Sequence, residues 1–91
     1  MTKEERKRRN RMAELGCALC RHLGLGETPA SIHHRRTGTG LMRAGDDQAM
    51  PLCHHHHQGK EGLHTLGRKA WEVHFGVTEL ELLAATNALL D

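Results

Sequence analysis

Short apolar stretches alternate with longer polar ones in the first half of the chain, and their spacing predicts small elements. Residues 2–15 are good helix formers without a proline, and Gly16 is a natural stop. Residues 30–35 and 48–52 each contain a short apolar stretch that predicts a strand. Pro51 lies near the end of the second strand, where an edge or a strand terminus tolerates proline. The first half is therefore predicted to be a helix followed by two strands.

The second half is predicted to be helical. The histidine run 54–57 should begin a short helix, and residues 65–75 have apolar positions at helical spacing. Thr78 and Glu81 are three residues apart, which is the spacing of a capping box, so they predict the start of a last helix. The C-terminal helices are expected to buttress the motif through apolar contacts among the following residues: Leu80, Leu83, Leu90, Trp71 and Val73.

The order of helix, strands and helices predicts an α+β fold. No internal repeat is visible, and no linker is long enough to divide residues 16–91, so we expect one domain there. Residues 1–15 are expected to form a separate basic helix or arm that precedes this domain.

The composition leaves little apolar material for a core. The chain has 91 residues, ten glycines, and only Trp71 and Phe75 as aromatic residues, so burial barely offsets the entropy of ordering it. Three cysteines cannot pair evenly into disulfides, and no signal peptide is recognisable. No apolar run approaches the roughly 20 residues of a membrane span, so no membrane partner is expected. A bound metal is the natural substitute for a larger core.

Positive charge is concentrated at the start of the chain. Residues 1–12 hold six basic and two acidic side chains, a net +4, whereas residues 13–91 hold seven basic and nine acidic ones, a net −2. A basic segment of this kind is typical of binding to a phosphate backbone, with Arg8 and Arg9 as candidates, although a solvated helix face is about as common.

The cysteine spacing predicts a structural zinc site. Cys17 and Cys20 are separated by two residues, and Cys53 and His56 repeat that spacing, which gives three thiolates and one imidazole. His54 and His55 remain alternatives for the fourth ligand. The competing interpretation is that the cysteines are free or buried thiols. In that case the chain would have a very small core and no cross-link to stabilise it.

Further histidines predict a second site. His33 and His34 are neighbours on a predicted strand, so their side chains point to opposite faces unless local twist brings both to one cleft. His57 follows His56, and helical neighbours lie about 100° apart, so His56 can face the zinc while His57 faces a second metal. A histidine pair alone is more often surface or core filler.

The order of a strand with two histidines, a loop, a strand ending in Pro51, Leu52 and Cys53, and a helix with histidine resembles the ββα-metal, or HNH, nucleases in their zinc-knuckle form. A closer resemblance is to the C-terminal nuclease domain of the bacteriophage recombination-enhancement (Ref) family, whose members cut DNA where a RecA filament is bound. It is carried by residues 16–30, 33–40, 51–57, 63–64 and 71–76. Gln48, with Asp47 beside it, stands where the HNH pattern usually has asparagine.

The resemblance implies site residues and partners. It makes His34 the general base, oriented by Gln48 or Asp47, since imidazoles suit this role at neutral pH. It makes His33 and His57 ligands of one catalytic cation, with His64 as a third ligand or a phosphate contact. Mg²⁺ or Mn²⁺ is expected to support cleavage, and Zn²⁺ is expected to occupy the site in purified protein. DNA and possibly a RecA filament are the expected partners, the cytoplasm of a bacterial host is the expected location, and the oligomeric state stays open.

The glycine-rich loop supplies further candidates for binding phosphate. Arg35, Arg36 and Arg43 lie in or beside this loop, where glycines allow DNA close to the backbone, although solvated loop charges are an equal alternative for any one of them. Arg36 and Arg43 also match basic positions of the family. Two alternatives to a metal-dependent endonuclease remain. One is a non-catalytic zinc-finger module that binds DNA, which the presence of Gln48 in place of the usual asparagine favours. The other is a histidine-rich protein that handles metals.

Overall fold

The computed structural model describes residues 2–34 and 48–90. In chain order, its elements are α1 (Lys3–Leu15), α2 (Ala18–His22), β1 (Ser31–His34), β2 (Ala49–Leu52), α3 (His54–His57), α4 (Leu63–Leu66), α5 (Arg68–Phe75) and α6 (Glu79–Leu90). The predicted α+β class is confirmed: a two-stranded sheet is surrounded by short helices. No helix among the described residues is both long and apolar enough to cross a membrane.

The basic helix α1 is packed against the rest of the fold. Thr2 and Glu5 form a capping box at its start, with each side chain accepting a hydrogen bond from the backbone amide of the other residue. Near the other end, Met12 is completely buried against Ala49 of β2 and Leu90 of α6. The domain boundary expected after residue 15 stays a prediction, but the helix before it shares a core with the sheet.

The sheet is an antiparallel pair in which His33 lies opposite Met50 and His34 lies opposite Ala49. All four residues of β2 are buried. Pro51 has no N–H to donate to a neighbouring strand, and it is tolerated because, among the described residues, β2 pairs with β1 on one edge only. A single residue, Cys53, separates the end of β2 from the start of helix α3, so strand, strand and helix follow one another as predicted.

The largest buried cluster joins α2, β2 and the C-terminal helices. Trp71, Leu19 and Met50 are fully buried there, and Leu82 is almost so. Two packing predictions are wrong: Val73 and Leu80 are 83% and 55% exposed. Residues 82, 83, 86 and 90 of α6 face inward, and Leu80 lies about 100° around the helix from the centre of that face, so its side chain reaches solvent.

The helix predicted for residues 65–75 is two helices, α4 and α5, separated by Gly67. Gly67 has a φ of +85°, which no residue inside a right-handed helix adopts. It ends α4 and directly precedes α5, so the chain turns at this point instead of continuing along one axis. The prediction of one continuous helix over residues 65–75 is therefore wrong.

The predicted capping box at the start of α6 is present. The backbone amide of Thr78 donates to Glu81 Oε1 at 3.0 Å, and the amide of Glu81 donates to Thr78 Oγ1 at the same distance. This cap fixes the residue at which α6 begins, and Glu79 is therefore held in the first turn, directed into the protein.

We expect Met12→Ala to lower the free energy of unfolding by about 2–5 kcal/mol, because it leaves a cavity between α1, β2 and α6. Urea denaturation of the zinc-loaded protein measures this loss. The matched control is Leu25→Ala at a side chain that is 64% exposed, which should change stability by less than about 0.5 kcal/mol. Equal effects of the two substitutions would contradict the packing of α1.

The α6 cap predicts a pH dependence. The pKa of Glu81 lies below its ordinary value because the backbone amide and then the side chain of Thr78 stabilise the carboxylate. A lowered folded pKa gives a stabilisation that is present above the ordinary value of 4.5 and is lost as the pH falls through the folded pKa. Melting curves should therefore place wild type above Glu81→Gln at pH 7, with a difference that shrinks below pH 4.5. A constant difference would contradict this origin.

Candidate metal centres

Three cysteines and one histidine from separate parts of the chain converge in the interior. Cys17 and Cys20 lie at the start of and within α2, Cys53 follows β2, and His56 is on α3. All four are buried, and their donor atoms lie within 4.8 Å of one another. Sequence reasoning predicted this set of residues, and the structure brings its members together.

The distances fit a tetrahedral zinc ion. His56 Nδ1 is 3.2, 3.5 and 3.9 Å from the sulfurs of Cys53, Cys20 and Cys17, and the sulfurs of Cys20 and Cys53 are 3.8 Å apart. Zinc–ligand bonds of about 2.0–2.3 Å at tetrahedral angles imply separations of about 3.6 Å between sulfur and nitrogen and about 3.8 Å between sulfurs. The cluster can therefore hold a metal such as zinc.

The turn at the first cysteine pair requires Gly16. Its φ is +76°, and an added Cβ would lie 3.0 Å from the backbone nitrogen of Thr28. The amide of Cys17 donates to the Thr28 carbonyl at 2.9 Å, which holds the two chain segments together. The amide of Cys20 points at Cys17 Sγ from 3.4 Å, an orientation that stabilises a thiolate.

The electrostatics of this cluster favour a bound cation. Burial raises the pKa of the Cys17 thiol to about 12, and the charges of Cys53 and Cys20 act in the same direction, against opposing backbone hydrogen bonds. A divalent cation bound to the thiolate reverses that balance. Burial also lowers the pKa of His56, which keeps its imidazole neutral and able to donate a lone pair.

The structure selects His56 among the histidines that sequence reasoning left as alternatives. Its backbone carbonyl accepts a hydrogen bond from Trp71 Nε1 at 3.1 Å, and its ring contacts Phe75. His54 and His55 are exposed, and His55 Nε2 lies 2.8 Å from the Glu61 carboxylate. Only His56 of the three belongs to the cysteine cluster.

A second cluster contains His33, His57 and His64. Their donor atoms lie within 4.8 Å of one another, and Nε2 of His57 is 3.1 Å from Nε2 of His64. Two imidazoles on one ion with metal–nitrogen bonds of about 2.1 Å would be separated by about 3.0 Å in octahedral geometry and about 3.4 Å in tetrahedral geometry. The structure thus groups the three predicted ligands, and their binding of a metal stays a prediction.

The second cluster combines a buried His57 with an adjoining cavity. Burial lowers the pKa of His57 to about 4, and the charges of His33 and His64 add to this effect. Ser31 Oγ lies 3.4 Å from His57 Nδ1, so Nε2 is the ring nitrogen that faces His64. His33 and His64 also line a cavity of about 280 Å³ that is bordered by Gly67 and Arg68. A metal held by the three imidazoles would have coordination positions left for water or substrate on the side of this cavity.

Glu79 is the residue of this site that sequence reasoning missed. Its Oε2 lies 2.7 Å from His33 Nε2, and both side chains are 5% exposed. An acidic residue in the first turn of a helix normally indicates only a favourable interaction with the helix dipole. The signal that remains in the sequence is its helical spacing: Glu79 follows the predicted cap residue Thr78 and precedes Leu82 and Leu83 by three and four residues, which places it on the same face of α6 as they are.

His34, the predicted general base, contacts α1. Arg9 Nη2 lies 3.3 Å from His34 Nε2. A guanidinium can only donate, so Nε2 of His34 is the acceptor in this contact. Gln48 immediately precedes Ala49, the strand partner of His34, which places it beside the end of the sheet. The roles predicted for His34 and Gln48 stay predictions.

The predicted phosphate contacts fall into two groups. Arg9 lies beside His34, and Arg8 Nη2 donates to Asn87 Oδ1 at 2.7 Å. Arg9 is therefore close to the histidines of β1, whereas Arg8 is hydrogen-bonded to α6. The following predicted residues lie outside the described part of the chain: Arg35, Arg36, Arg43 and Asp47.

A comparison with protein families gives one match. The family described as "recombination enhancement, RecA-dependent nuclease" matches residues 1–89, which is nearly the whole chain. No curated protein and no solved structure matches the sequence. The match spans α1, both clusters and α6.

Cys20→Ser is expected to unfold the protein, because a structural zinc contributes on the order of 10 kcal/mol in small modules. The measurements are zinc content by elemental analysis and the melting temperature. His54→Ala is the matched control at an exposed neighbour of the cluster and should keep both values. A Cys20→Ser protein with the wild-type melting temperature would refute the structural role.

Proposed function

The chain belongs to the family of recombination-enhancement, RecA-dependent nucleases, and on that premise we propose that it is a metal-dependent DNA endonuclease of the ββα-metal, or HNH, type. The observation that carries the proposal is the grouping of His33, His57 and His64 around one point. Those ligands come from β1, α3 and α4, and α3 follows the two strands directly.

The topology supports the HNH type in particular. Adjacent residues of the short helix α3 serve different clusters: His56 belongs to the cysteine cluster, and His57 belongs to the histidine cluster. A structural metal would therefore fix the helix that carries a ligand of the catalytic one. This sharing also explains how a chain with so small a core can hold a precise active site.

The reaction is hydrolysis of a phosphodiester bond, with 5′-phosphate and 3′-hydroxyl ends as products. A divalent cation held by His33, His57 and His64 would supply charge neutralisation at the scissile phosphate and at the leaving oxygen. Mg²⁺ or Mn²⁺ is the proposed ion in the cell, although three nitrogen ligands bind Zn²⁺ more tightly. His34 takes one proton from the attacking water, whose oxygen bonds to phosphorus as the bond from phosphorus to the 3′ oxygen breaks, and the released 3′ oxygen takes a proton from solvent to become the hydroxyl.

The contact of Arg9 with His34 gives α1 a place in this mechanism. The guanidinium donates to Nε2 of His34, so that nitrogen presents a lone pair. The same planar group is suited to binding a phosphate oxygen. We therefore place the DNA backbone beside α1. A phosphate oxygen that draws the Arg9 guanidinium away from His34 leaves the lone pair of Nε2 open to accept the proton, and Arg8 supports the helix through Asn87.

The substrate follows from the family. Its description names recombination enhancement and dependence on RecA, so we propose DNA engaged by a RecA filament as the target in the cytoplasm of a bacterial host. Among the described residues, no helix has the form of a base-reading element inserted into a groove, because those with eight or more residues are packed against the sheet or one another. Structure and bound protein, more than base sequence, should select the cleavage position.

We expect His34→Ala to lower the cleavage rate about 10²–10⁴-fold, the usual contribution of a general base, while zinc content and melting temperature stay at wild-type values. The assay uses single-stranded and duplex DNA with and without a RecA filament, across Mg²⁺, Mn²⁺ and Zn²⁺. His22→Ala, an exposed histidine on α2, is the matched control and should cut at the wild-type rate.

Two results would contradict the proposal at different points. If His34→Ala cuts as fast as wild type, His34 is not the base. If wild type binds DNA but does not cut it with any of these metals in the presence of RecA, the protein is a non-catalytic zinc-finger module.

A further inference from the structure

A buried carboxylate lies against the histidine cluster from the side of α6. Glu79 is 4% exposed, and Oε2 is 2.7 Å from Nε2 of His33, which is equally buried. Glutamate is almost never this buried unless it is paired. The contact joins residues 46 positions apart in the chain, so the C-terminal helix reaches the first strand at this point.

We infer that Glu79 is a positioning residue that orients His33 as a metal ligand, an inference that rests on the proposed function. A carboxylate that accepts the Nε2 proton fixes the tautomer of the ring and leaves the lone pair on Nδ1. The negative charge also makes the imidazole a stronger donor toward a cation. Of the two ring nitrogens, Nδ1 is then the one that binds the metal.

Glu79 acts through His33 and does not bind the ion itself. The donor atoms that lie within 4.8 Å of one another belong to His33, His57 and His64, and Glu79 is not part of this set. His33 is thus held from outside by a carboxylate, as His57 is held by Ser31 Oγ. Each ligand of this pair has one ring nitrogen engaged by the protein and the other available for the metal.

The position of Glu79 is itself fixed by its surroundings. The capping box of Thr78 and Glu81 sets the start of α6, and the amide of Glu79 donates to Glu72 Oε2 at 2.7 Å. Glu72 is on α5, so the corner between the last two helices is closed by this bond. Leu82 and Leu83 bury the next turn of α6. The carboxylate therefore meets His33 from a rigid support, as positioning of a ligand requires.

The test is the affinity of the histidine cluster for Mn²⁺, an ion that binds thiolates poorly and leaves structural zinc in place. Isothermal titration of Mn²⁺ into Glu79→Gln loaded with one equivalent of zinc, which the thiolates of the cysteine cluster bind first, should show an affinity about 10–100-fold weaker than in wild type prepared in the same way. Glutamine keeps the size of the side chain and a carbonyl acceptor but removes the charge. Glu14→Gln, at an exposed carboxylate on α1, is the control and should bind Mn²⁺ as wild type does.

A double-mutant cycle separates positioning from a general effect on folding. In a His33→Ala background, Glu79→Gln should cause no further loss of Mn²⁺ affinity, because its only route to the ion has been removed. An undiminished loss in that background would overturn the inference in favour of a structural role. Melting temperatures of all variants show whether the fold and zinc site are intact.

The failure of this inference is distinguishable from failure of the proposed function. If wild type binds Mn²⁺ in a way that depends on His33, while Glu79→Gln binds it equally well, the inference is wrong and the proposed metal site stands. If wild type binds no Mn²⁺, or His33→Ala leaves its affinity unchanged, the proposed metal site is wrong and the inference fails with it.

Discussion

Four donor atoms from three separate parts of the chain converge within 4.8 Å, and the rest of the fold is arranged around that convergence. The cysteines among them belong to the main buried cluster, together with Leu19, Met50 and Trp71. A chain of 91 residues with two aromatic side chains gains little from apolar burial, so a metal that cross-links α2 to the end of β2 and to α3 would have a large share in its stability. Without a cation the Cys17 thiol has no such cross-linking role, because burial raises its pKa to about 12 and opposes its ionisation.

The same cross-link constrains the histidine cluster. His56 and His57 are adjacent on a helix of only four residues, and such a helix has little stability of its own. Trp71 holds the backbone of His56 by a hydrogen bond, and the cysteine cluster holds its side chain. The direction of His57 is then determined by helical geometry. A metal bound by the cysteine cluster would therefore also fix the direction of His57 in the histidine cluster.

The sequence was sufficient for features that depend on local spacing. Cys17 with Cys20 and Cys53 with His56 are each separated by two residues, and this regularity identified the four-residue cluster before any fold was known. The capping box of α6 follows in the same way from Thr78 and Glu81, which are three residues apart. Excluding His54 and His55 as alternatives to His56 required the structure, because all three can reach a metal from a short helix, and packing against Trp71 and Phe75 distinguishes His56.

Features that depend on distant contacts could not be predicted in this way. Glu79 meets His33 across 46 positions, and its place in a first helical turn has an ordinary local explanation. The inward face of α6 begins with Glu79 and continues through Leu82 and Leu83, so Leu80 is exposed. That rotation is set by tertiary packing, since the helix has apolar residues on several sides. Gly67 was visible in the sequence, but its positive φ was not.

Alternation along β1 gives its two histidines opposite surroundings, and this difference corresponds to their proposed roles. His33 meets the Glu79 carboxylate from α6, and His34 meets the Arg9 guanidinium from α1. An anion that accepts the proton of one ring nitrogen makes the other ring nitrogen a stronger metal ligand. A cation that donates a hydrogen bond to a ring nitrogen requires a lone pair on that nitrogen. The first arrangement would suit a histidine that holds a metal, and the second would suit a histidine that accepts a proton once Arg9 has moved to a phosphate. Under the proposed function, the terminal helices α1 and α6 would therefore do more than cover the sheet, because each supplies a charged side chain to one histidine of β1.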